Sequence, residues 1–244
     1  MPWIDKIHLV TNGQKPSFLT EEFIKMYNTI LVTHEQIFKG YEQFLPVFNS
    51  QTIEAMLWNI PQLSEDFIYF NDDFFVVSPV KKIDFFDSGK FVYRGMNRFK
   101  NKWLGRVQKH LVPGFKKGII DRRAESADFP HKLWFYSPAH APYTLNSCLL
   151  KEAVTNWGIN DILSYRFRND AQPWPVGLFI NQIAKRNLLT KSTNNDWLYF
   201  FPTHDRSFSI KLTPNIKFFC AQLLDSLPNG EQKYAIEFLN SLLD

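Results

Sequence analysis

The sequence predicts an α/β protein with a Rossmann-like, mostly parallel sheet, helices on both faces of that sheet, and an irregular basic insertion. The first observation is an alternation between short apolar runs and amphipathic segments, which is typical of parallel strands joined by helices. The second observation is that polar residues follow three of these runs at their C-terminal ends. Because ligands bind outside the carboxyl ends of parallel strands, the pattern also predicts a crevice there.

Strands and helices follow one another in the N-terminal third of the chain. The run IHLV ends at Val10 and leads into the loop TNGQKP, after which Thr20 is the predicted N-cap of a helix in SFLTEEFIKMYN. The segment TILVTH predicts a second strand that ends at His34. Ser50 is the predicted cap of the amphipathic helix SQTIEAMLWNI, and FIYF then predicts a third strand.

The remainder of the chain is less regular. Residues 81–135 are basic and irregular, and we interpret them as an insertion into a single domain that covers residues 1–244. The insertion is either a set of solvated loops or a rim that attracts phosphates. Beyond it, CLLKEAVTNWGI, LFINQIAKR and EQKYAIEFLNSLLD predict three helices.

The composition excludes several classes of protein. Hydrophobic residues make up 45% and charged residues 21% of the 244 residues, as in globular rather than disordered proteins. A net charge of +4 without a basic stripe argues against a nucleic-acid partner. Cys148 and Cys220 form neither a disulfide framework nor a metal-binding spacing, so we expect a reducing compartment. With no apolar run of membrane-spanning length, we expect a cytoplasmic protein, or one held peripherally at the inner face of the plasma membrane.

Three polar residues interrupt the apolar run FIYFNDDFFVV. Asn71, Asp72 and Asp73 lie at the C-terminal end of the third predicted strand. Mg²⁺ is often held by one or two carboxylates together with substrate phosphates. Asp72 and Asp73 therefore predict a Mg²⁺ or Mn²⁺ site for a nucleotide-sugar diphosphate, with Asn71 orienting a carboxylate or contacting the ligand. A turn without a ligand is the alternative, because Asn and Asp both favour turns.

A histidine and a pair of arginines are further candidates. His140 lies between Pro138 and Pro142, in a turn that would hold an imidazole suited to proton transfer near neutral pH. Arg166 and Arg168 alternate along an extended segment and would point the same way, which suits a diphosphate or a transferred phosphoryl group. The alternatives are a structural histidine and surface arginines paired with nearby acids.

The loops after the first two strands add candidates for substrate binding. Thr11, Asn12 and Gly13 follow the first strand, and His34 follows the second. Because the carboxyl ends of parallel strands lie at one edge of the sheet, these residues and the acidic residues are expected to converge on one crevice. For His34, hydrogen bonding within its own loop is an equal alternative.

Several segments together resemble one family, the Stealth proteins. The similarity is strongest over residues 7–77 and is carried by KIHLVTNGQKPSFL, ILVTHEQIF, LPVFNSQTIEAMLWNIPQLSEDFIYFNDDFFV, HAPYTL and SYRFRND. Stealth proteins are hexose-1-phosphate phosphotransferases that build phosphate-linked capsular polysaccharides in bacteria. The animal lysosomal-enzyme N-acetylglucosamine-1-phosphotransferase belongs to the same family.

The resemblance implies an active site that draws on the acidic block, the histidine and the arginines, which are groups chosen above on chemical grounds. The family's acidic block matches Asn71, Asp72 and Asp73, its third-block histidine matches His140, its fourth-block arginines match Arg166 and Arg168, and a loop of its second block matches Thr11, Asn12, Gly13 and Gln14. Two family features differ in this sequence. The hydrophobic strand and turn of the first block are absent, and a Cys-Leu-Asn-Asp pattern appears only as Cys220-Ala221-Gln222.

The resemblance implies transfer of a sugar 1-phosphate from a UDP-sugar to a glycan hydroxyl, with release of UMP, in synthesis of capsular or other cell-surface polysaccharide. The expected catalytic residues are Asp73, His140, Arg166 and Arg168, and either His140 or a carboxylate would be the base. The expected partners are the UDP-sugar, the glycan acceptor and the capsule assembly machinery. Two alternatives remain open: a metal-dependent glycosyltransferase that releases UDP, and a truncated, catalytically silent glycan-binding subunit.

Overall fold

The computed structural model describes residues 1–99, 134–169, 172–202, 208 and 210–242. Helices and strands are mixed along the described chain, which confirms the predicted α/β class. The strands are β1 (Ile7–Thr11), β2 (Thr29–Thr33), β3 (Asp66–Tyr69), β4 (Phe74–Val76), β5 (Phe86–Asp87), β6 (Lys90–Tyr93), β7 (Gly95–Phe99), β8 (Trp134–Pro138), β9 (Tyr143–Asn146), β10 (Leu189–Lys191), β11 (Trp197–Phe200) and β12 (Phe218–Ala221).

The α-helices of the described residues are mostly short. They are α1 (Glu21–Tyr27), α2 (His34–Ile37), α3 (Ser50–Glu54), α4 (Ser147–Trp157), α5 (Ile159–Leu163), α6 (Pro175–Lys185) and α7 (Asn229–Asn240). Single turns of 3₁₀-helix occur at Glu42–Phe44, Leu57–Asn59, Lys82–Asp84 and Leu224–Ser226. The three helices predicted in the second half of the chain correspond to α4, α6 and α7.

The prediction of one mostly parallel, Rossmann-like sheet is corrected by the strand pairing. Among the described residues the strands form five sheets of two or three strands each. Parallel pairs join β1 to β2, β6 to β10, and β11 to β12, whereas β3–β9, β4–β12, β5–β6 and β7–β8 are antiparallel. A short apolar strand has the same sequence signature whichever direction its neighbour runs, so the pattern did not reveal these antiparallel partners.

The N-terminal elements agree closely with the predictions. β1 and β2 are parallel, with Thr11 opposite Thr33 at their carboxyl ends. Thr20 caps α1 by accepting a hydrogen bond from Phe23 N at 3.1 Å. The α3 prediction was wrong in two details, because Asn49 rather than Ser50 is the N-cap and the α-helix ends at Glu54.

Most of the predicted insertion, residues 100–133, lies outside the described residues. The described part before it contains the 3₁₀ turn Lys82–Asp84 and the strands β5, β6 and β7. β6 is not a solvated loop, since Phe91, Val92 and Tyr93 are buried. Hydrogen bonds from Tyr93 Oη to the carbonyl of Thr144 and from Thr144 Oγ1 to the carbonyl of Val92 attach β6 to β9.

The main hydrophobic core joins the N-terminal and C-terminal parts of the described chain. Its fully buried members include Ile37, Leu145 and Phe179, and partly buried side chains of β1, β2 and β3 pack against it. Burying one such side chain is worth about 1.5–3 kcal/mol relative to leaving it exposed. The loops that follow β1, β2 and β3 are therefore attached to one packed core.

Candidate active site

The acidic residues lie in the turn between β3 and β4, which we call the acidic turn (Asn71, Asp72, Asp73). Phe74 N donates a hydrogen bond to the carbonyl of Asn71 at 3.2 Å and closes this turn. β3 pairs with β9 and β4 pairs with β12, so the turn lies where the chain passes from one sheet to another. The prediction that the carboxylates emerge at the end of the apolar strand is confirmed: Asp72 is exposed, and Asn71 and Asp73 are half-buried.

Asp73 is fixed by the end of β12. Ala221 N donates to the carbonyl of Asp73 at 3.0 Å, and Gln222 Nε2 donates to Asp73 Oδ2 at 2.6 Å. The other carboxylate oxygen, Asp73 Oδ1, is buried and receives no N–H or O–H hydrogen bond from the described residues. Burial, and then the charge and hydrogen bond of Asp73, raise the pKa of the Cys220 thiol, which keeps this neighbour protonated.

Gln222 also connects Asp73 with His140. Tyr199 Oη donates to Gln222 Oε1 at 2.8 Å. The Tyr199 ring stacks on the His140 imidazole, with ring centroids 4.4 Å apart and ring planes 12° apart. The acidic turn and the predicted catalytic histidine, which are far apart in sequence, are therefore joined by two intervening side chains.

His140 lies in the turn between β8 and β9, as the flanking prolines predicted. Ala139 and Ala141 are both buried in a second hydrophobic cluster that contains Phe85 and Phe218. Ala139 N donates to the carbonyl of Arg94 at 2.7 Å. The backbone on both sides of His140 is thus held by packing and by a hydrogen bond, while the imidazole itself remains half-buried.

A buried carboxylate is linked to the acidic turn through the hydroxyl of Tyr69. Glu54, at the end of α3, is 5% exposed and accepts hydrogen bonds from Trp174 Nε1 at 3.1 Å and from Tyr69 Oη at 3.3 Å. Tyr69 Oη also contacts Asn71 Oδ1 by a short hydrogen bond. Burial first, and then the charges of Glu54 and other neighbours including Asp72, raise the pKa of Tyr69, so its hydroxyl stays protonated and able to donate.

The predicted arginines are exposed on the segment 165–168, which we call the arginine loop. Two residues at the start of α3 hold its backbone. Asn49 Nδ2 donates to the carbonyls of Tyr165 and Phe167, each at 3.1 Å, and Thr52 Oγ1 donates to the carbonyl of Tyr165 at 2.7 Å. The backbone of the loop is therefore fixed, while the guanidinium groups of Arg166 and Arg168 extend into solvent.

The same short helix thus contacts both groups of candidate residues. Asn49 and Thr52 bind the arginine loop, and Glu54 binds Tyr69 beneath the acidic turn. Five residues of helix span about 7.5 Å, so the two attachment points are close together. Gln172 reinforces the first of them, donating to Thr52 Oγ1 at 2.8 Å and accepting from Asn49 Nδ2 at 2.7 Å.

The loop after β1 and the histidine after β2 lie side by side, as predicted for parallel strands. Thr11 pairs with Thr33, which directly precedes His34. Thr11 is half-buried and its hydroxyl accepts from Gly13 N at 3.2 Å, whereas Asn12, Gly13 and Gln14 are exposed. Burial lowers the pKa of His34, and the nearby charge of Glu35 opposes this in part, so the environment favours the neutral imidazole. Because β3 pairs with β9, strand pairing alone does not bring this edge to the acidic turn.

The acidic turn fits a cation that shares its ligands with a substrate. Among the described residues there is no group of three or more His, Cys, Asp and Glu side chains arranged to hold a metal ion. The turn instead offers the exposed carboxylate of Asp72 and the buried Oδ1 of Asp73, which accepts no N–H or O–H hydrogen bond from the described residues. One or two carboxylates completed by substrate phosphates is the arrangement that Mg²⁺ usually adopts in proteins.

Sequence reasoning missed the residues that connect the site. Tyr199 and Gln222 were not chosen, and neither were the buried polar residues Asn49, Thr52 and Glu54. The signal for Gln222 was its position directly after an apolar strand, at the point where the Cys-Leu-Asn-Asp pattern differs. The polar residues of α3 gave no such signal, because the same residue types usually face solvent on an amphipathic helix.

Side-chain contacts thus link the acidic turn to His140 through Gln222 and Tyr199, and to the arginine loop through α3 and its N-cap. A family model described as "Stealth protein CR2, conserved region 2" matches residues 1–93. Residues 1–93 of this chain are thus similar to a conserved region of the Stealth proteins. The matched region contains the acidic turn, α3 and the loop after β1, whereas His140, Tyr199 and Gln222 lie beyond it.

Curated relatives carry names that agree with this family. The chain is 46% identical over 85 residues to a receptor polysaccharide phosphotransferase of Streptococcus gordonii, which is 35% of this chain and 24% of the relative. It is 46% identical over 88 residues to a capsular polysaccharide phosphotransferase of Neisseria meningitidis serogroup B, which is 36% of this chain and 22% of the relative. It is 36% identical over 155 residues to an exopolysaccharide phosphotransferase of Streptomyces coelicolor, which is 62% of this chain and 25% of the relative.

The aligned segments span about a quarter of the length of these relatives, at 24%, 22% and 25%. The activity of the longer proteins therefore enters below as a proposal for this chain. A separate observation concerns membranes: in the part of the chain that the structure describes, none of the helices has the length and apolar character that crossing a bilayer requires.

Proposed function

We propose that this chain is a polysaccharide phosphotransferase that moves a sugar 1-phosphate from a UDP-sugar to a hydroxyl of a glycan acceptor. The acceptor oxygen would attack the phosphorus nearest the sugar. The bond from that phosphorus to the bridging oxygen of the diphosphate would break, and UMP would leave. The proton of the acceptor hydroxyl would pass to His140 or to a carboxylate of the acidic turn.

The single observation that carries the proposal is the connection from Asp73 through Gln222 and Tyr199 to His140. This connection holds an acidic group and an imidazole in one site, which in-line transfer with proton removal requires. The names of the relatives support the reaction class, since all three are polysaccharide phosphotransferases. The names of the relatives do not state UMP release or a UDP-sugar donor, and both are part of our proposal.

Charge neutralisation is the main task of a protein in phosphoryl transfer, because the phosphate itself supplies most of the bond chemistry. Asp72 and Asp73 would hold Mg²⁺ or Mn²⁺, which would neutralise the donor diphosphate when bound. Arg166 and Arg168 would contact the transferred phosphoryl group, a role for which the planar guanidinium group is well suited. Thr11, Asn12, Gly13, Gln14, His34 and Asn71 remain proposed substrate-binding residues.

The proposed cellular location follows from the class of donor and from the two free thiols. UDP-sugars are the donor class of this proposal, and Cys148 and Cys220 are both free, as is normal in the reducing cytoplasm. We place the reaction at the inner face of the plasma membrane, next to the machinery that assembles capsular or other surface polysaccharide. Fractionation of the cells that make the protein would check this location.

Nucleotide release is the experiment that tests the reaction. Purified protein would be incubated with Mg²⁺, UDP-N-acetylglucosamine and a mixture of capsule-type oligosaccharides, and UMP and UDP would be separated and quantified. Reactions without acceptor, and reactions of the Asp73→Asn variant, are the matched controls. We expect UMP that depends on acceptor, on Mg²⁺ and on Asp73.

Two other results would each contradict the proposal. Acceptor-dependent UDP would mean that the bond at the anomeric carbon breaks, as in a metal-dependent glycosyltransferase. The absence of both nucleotides with UDP-N-acetylglucosamine and with other UDP-hexoses, while oligosaccharide still binds, would identify a catalytically silent glycan-binding subunit.

A further inference from the structure

We propose that Gln222 and Tyr199 are positioning residues that fix the Asp73 carboxylate for a divalent cation and hold His140 beside it. We call the pair the Gln222–Tyr199 bridge. The proposal rests on the function proposed above, and it assigns a role to two residues that lie outside the matched conserved region, at residues 1–93.

Asp73 is held at both its backbone and its side chain by the same segment, residues 221 and 222. Ala221 N binds the Asp73 carbonyl at 3.0 Å, and the next residue, Gln222, binds Asp73 Oδ2 at 2.6 Å. β12 itself is fixed by pairing with β4 on one side and β11 on the other. The position of Asp73 is therefore set by strand pairing and not only by the turn in which it lies.

The carboxylate of Asp73 fixes the orientation of the Gln222 amide. An ionised carboxylate can only accept hydrogen bonds, so the amide must present its NH₂ group to Asp73. The amide oxygen then faces the other way and accepts from Tyr199 Oη at 2.8 Å. Each polar group of the bridge thus has a partner of the correct type.

The bridge binds only one of the two carboxylate oxygens of Asp73. Asp73 Oδ1 is buried and receives no N–H or O–H hydrogen bond from any described residue. A buried carboxylate oxygen that accepts no N–H or O–H hydrogen bond is costly, and a bound cation would remove that cost. With Oδ2 bound by Gln222, Oδ1 is left as the ligand atom, and the partners of ligating carboxylates commonly tune metal affinity.

Tyr199 of the bridge also contacts His140. Tyr199 stacks on the imidazole at a centroid distance of 4.4 Å and at the same time donates to Gln222. The side chains of the bridge therefore set the position of His140 relative to Asp73. β11 and β12 are parallel neighbours, with Tyr199 opposite Cys220, so both residues of the bridge come from one rigid strand pair.

Binding of Mn²⁺ tests the bridge without relying on turnover. Mn²⁺ would be titrated into the protein, with and without UDP, and free Mn²⁺ would be followed by electron paramagnetic resonance. The variants are Gln222→Met, which keeps the side-chain length but removes the amide, and Tyr199→Phe, which keeps the ring but removes the hydroxyl. Asp73→Asn reports on the proposed ligand, and Gln43→Met removes an exposed amide elsewhere as the matched control.

We expect Gln222→Met to raise the Kd for Mn²⁺ about 10–100-fold, as is typical when a partner of a metal ligand is removed. Tyr199→Phe should raise the Kd by about 2–10-fold, the usual effect of one neutral hydrogen bond. Gln43→Met should not change it. In the nucleotide assay, Gln222→Met should raise the Mg²⁺ concentration needed for half-maximal rate, and excess Mg²⁺ should restore much of the rate.

The outcomes separate the bridge from the proposed function. If Asp73→Asn weakens Mn²⁺ binding strongly but folded Gln222→Met and Tyr199→Phe bind as the wild type does, the bridge is overturned and the acidic site stands. If the wild type binds no Mn²⁺ with or without UDP, both proposals fail. If Gln222→Met does not fold, as judged by circular dichroism, Tyr199→Phe alone decides the bridge, because its ring keeps the packing.

Discussion

Asp72 and Asp73 are adjacent in sequence, but the fold treats them differently. Asp72 is exposed, whereas Asp73 is tied to β12 through its carbonyl and one carboxylate oxygen. The fixed carboxylate of Asp73 suits a role that depends on geometry. The exposed carboxylate of Asp72 suits contact with a group that arrives with the substrate. Sequence alone placed both carboxylates at a strand end, but it gave no reason to distinguish them.

Replacement of the two central residues is the first prediction. We expect Asp73→Ala and His140→Ala each to lower acceptor-dependent UMP formation by about 10²–10⁴-fold, the range for loss of a group that transfers protons or stabilises charge. Far-ultraviolet circular dichroism should show an unchanged fold for both. Near-normal rates for both variants in the nucleotide assay would remove these residues from the mechanism.

The residues that were predicted and those that were missed differ in a physical way. His140 and the acidic turn were visible because charged or titratable groups interrupt apolar or proline-rich sequence. Asn49 and Gln222 were not visible, because a neutral amide gives no sign of being buried until its partners are known. Only the folded chain shows that Asn49 is 1% exposed and bound to three acceptors.

At the scale of elements, α3 matters more than its five residues suggest. Its amphipathic pattern correctly predicted a helix, but its polar residues Thr52 and Glu54 proved to be buried, and Thr52 binds the arginine loop. A helix this short gains little stability from its own hydrogen bonds. The side-chain bonds of Asn49 and Thr52 to the loop therefore hold the two segments together.

Removing the Asn49 amide is the second prediction. Asn49→Ala removes the side-chain donor of the Phe167 carbonyl and one of the two side-chain donors of the Tyr165 carbonyl, and should lower the free energy of unfolding by about 1–3 kcal/mol. Urea denaturation measures that loss. Hydrogen exchange of residues 164–169 should become faster, and the KM for the UDP-sugar should rise because the arginine loop is less well held.

Ser50→Ala is the matched control for Asn49→Ala. Ser50 is the next residue and is exposed, so its replacement should leave the urea midpoint and the KM nearly unchanged. If both variants behave alike, the arginine loop is held by something other than Asn49.

The third prediction concerns the approach of β7 to β8 next to the histidine turn. Gly95 has a φ of +147° and pairs with Pro138, and a Cβ at Gly95 would lie 2.3 Å from the carbonyl oxygen of Ser137. Gly95→Ala should therefore destabilise the fold by about 1–3 kcal/mol from overpacking, in addition to backbone strain. Because Ala139 and His140 follow Pro138 directly, turnover should fall as well.

Gly89→Ala separates strain from crowding. Gly89 also has a positive φ, +75°, but a Cβ there meets no atom within 4 Å. Urea denaturation should show a smaller loss for Gly89→Ala than for Gly95→Ala, with turnover unaffected at Gly89. Equal losses would mean that the contact with β8 carries no cost of its own.

At the scale of the whole molecule, the sequence predicted the class of fold better than its topology. Hydrophobic periodicity correctly located β1, β2, β3 and the main helices. Periodicity carries no information on which strand lies beside which. The pairing of β3 with β9, and of β4 with β12, depends on segments distant in sequence, so the predicted mostly parallel sheet was replaced by several mixed ones.

Buried charges also join distant parts of the molecule. Arg94 donates to both carboxylate oxygens of Asp196, at 2.7 and 2.9 Å, and both side chains are almost fully buried. Arg94 also binds the carbonyl of Asp84, whose carboxylate accepts from Lys217 Nζ at 2.7 Å. These contacts link the 3₁₀ turn Lys82–Asp84 to the residue after β6 and to the residue before β12, and β12 is the strand whose end holds Asp73.

The last prediction is the pH dependence that this network gives to global stability. Burial alone would raise the pKa of Asp84, but the hydrogen bonds from Lys217 and the Lys81 backbone, with the charges of Lys217 and Arg94, lower it below its ordinary value of 3.8. A carboxyl group whose pKa is lower in the folded than in the unfolded chain stabilises the fold above the unfolded value. That stabilisation disappears as the pH falls through the folded value.

Asp84→Asn should therefore be less stable than the wild type in urea at about pH 7, and the difference should shrink steadily below about pH 4. Asp5→Asn, which removes an exposed carboxylate, is the control and should follow the wild-type curve. Measuring urea midpoints of all three proteins from about pH 7 to about pH 3 isolates Asp84 from the other acids, which are common to the wild type and the variant. A difference that stays constant over this range would mean that Asp84 stabilises the molecule by packing alone, because only a charged interaction with Lys217 and Arg94 is lost on protonation.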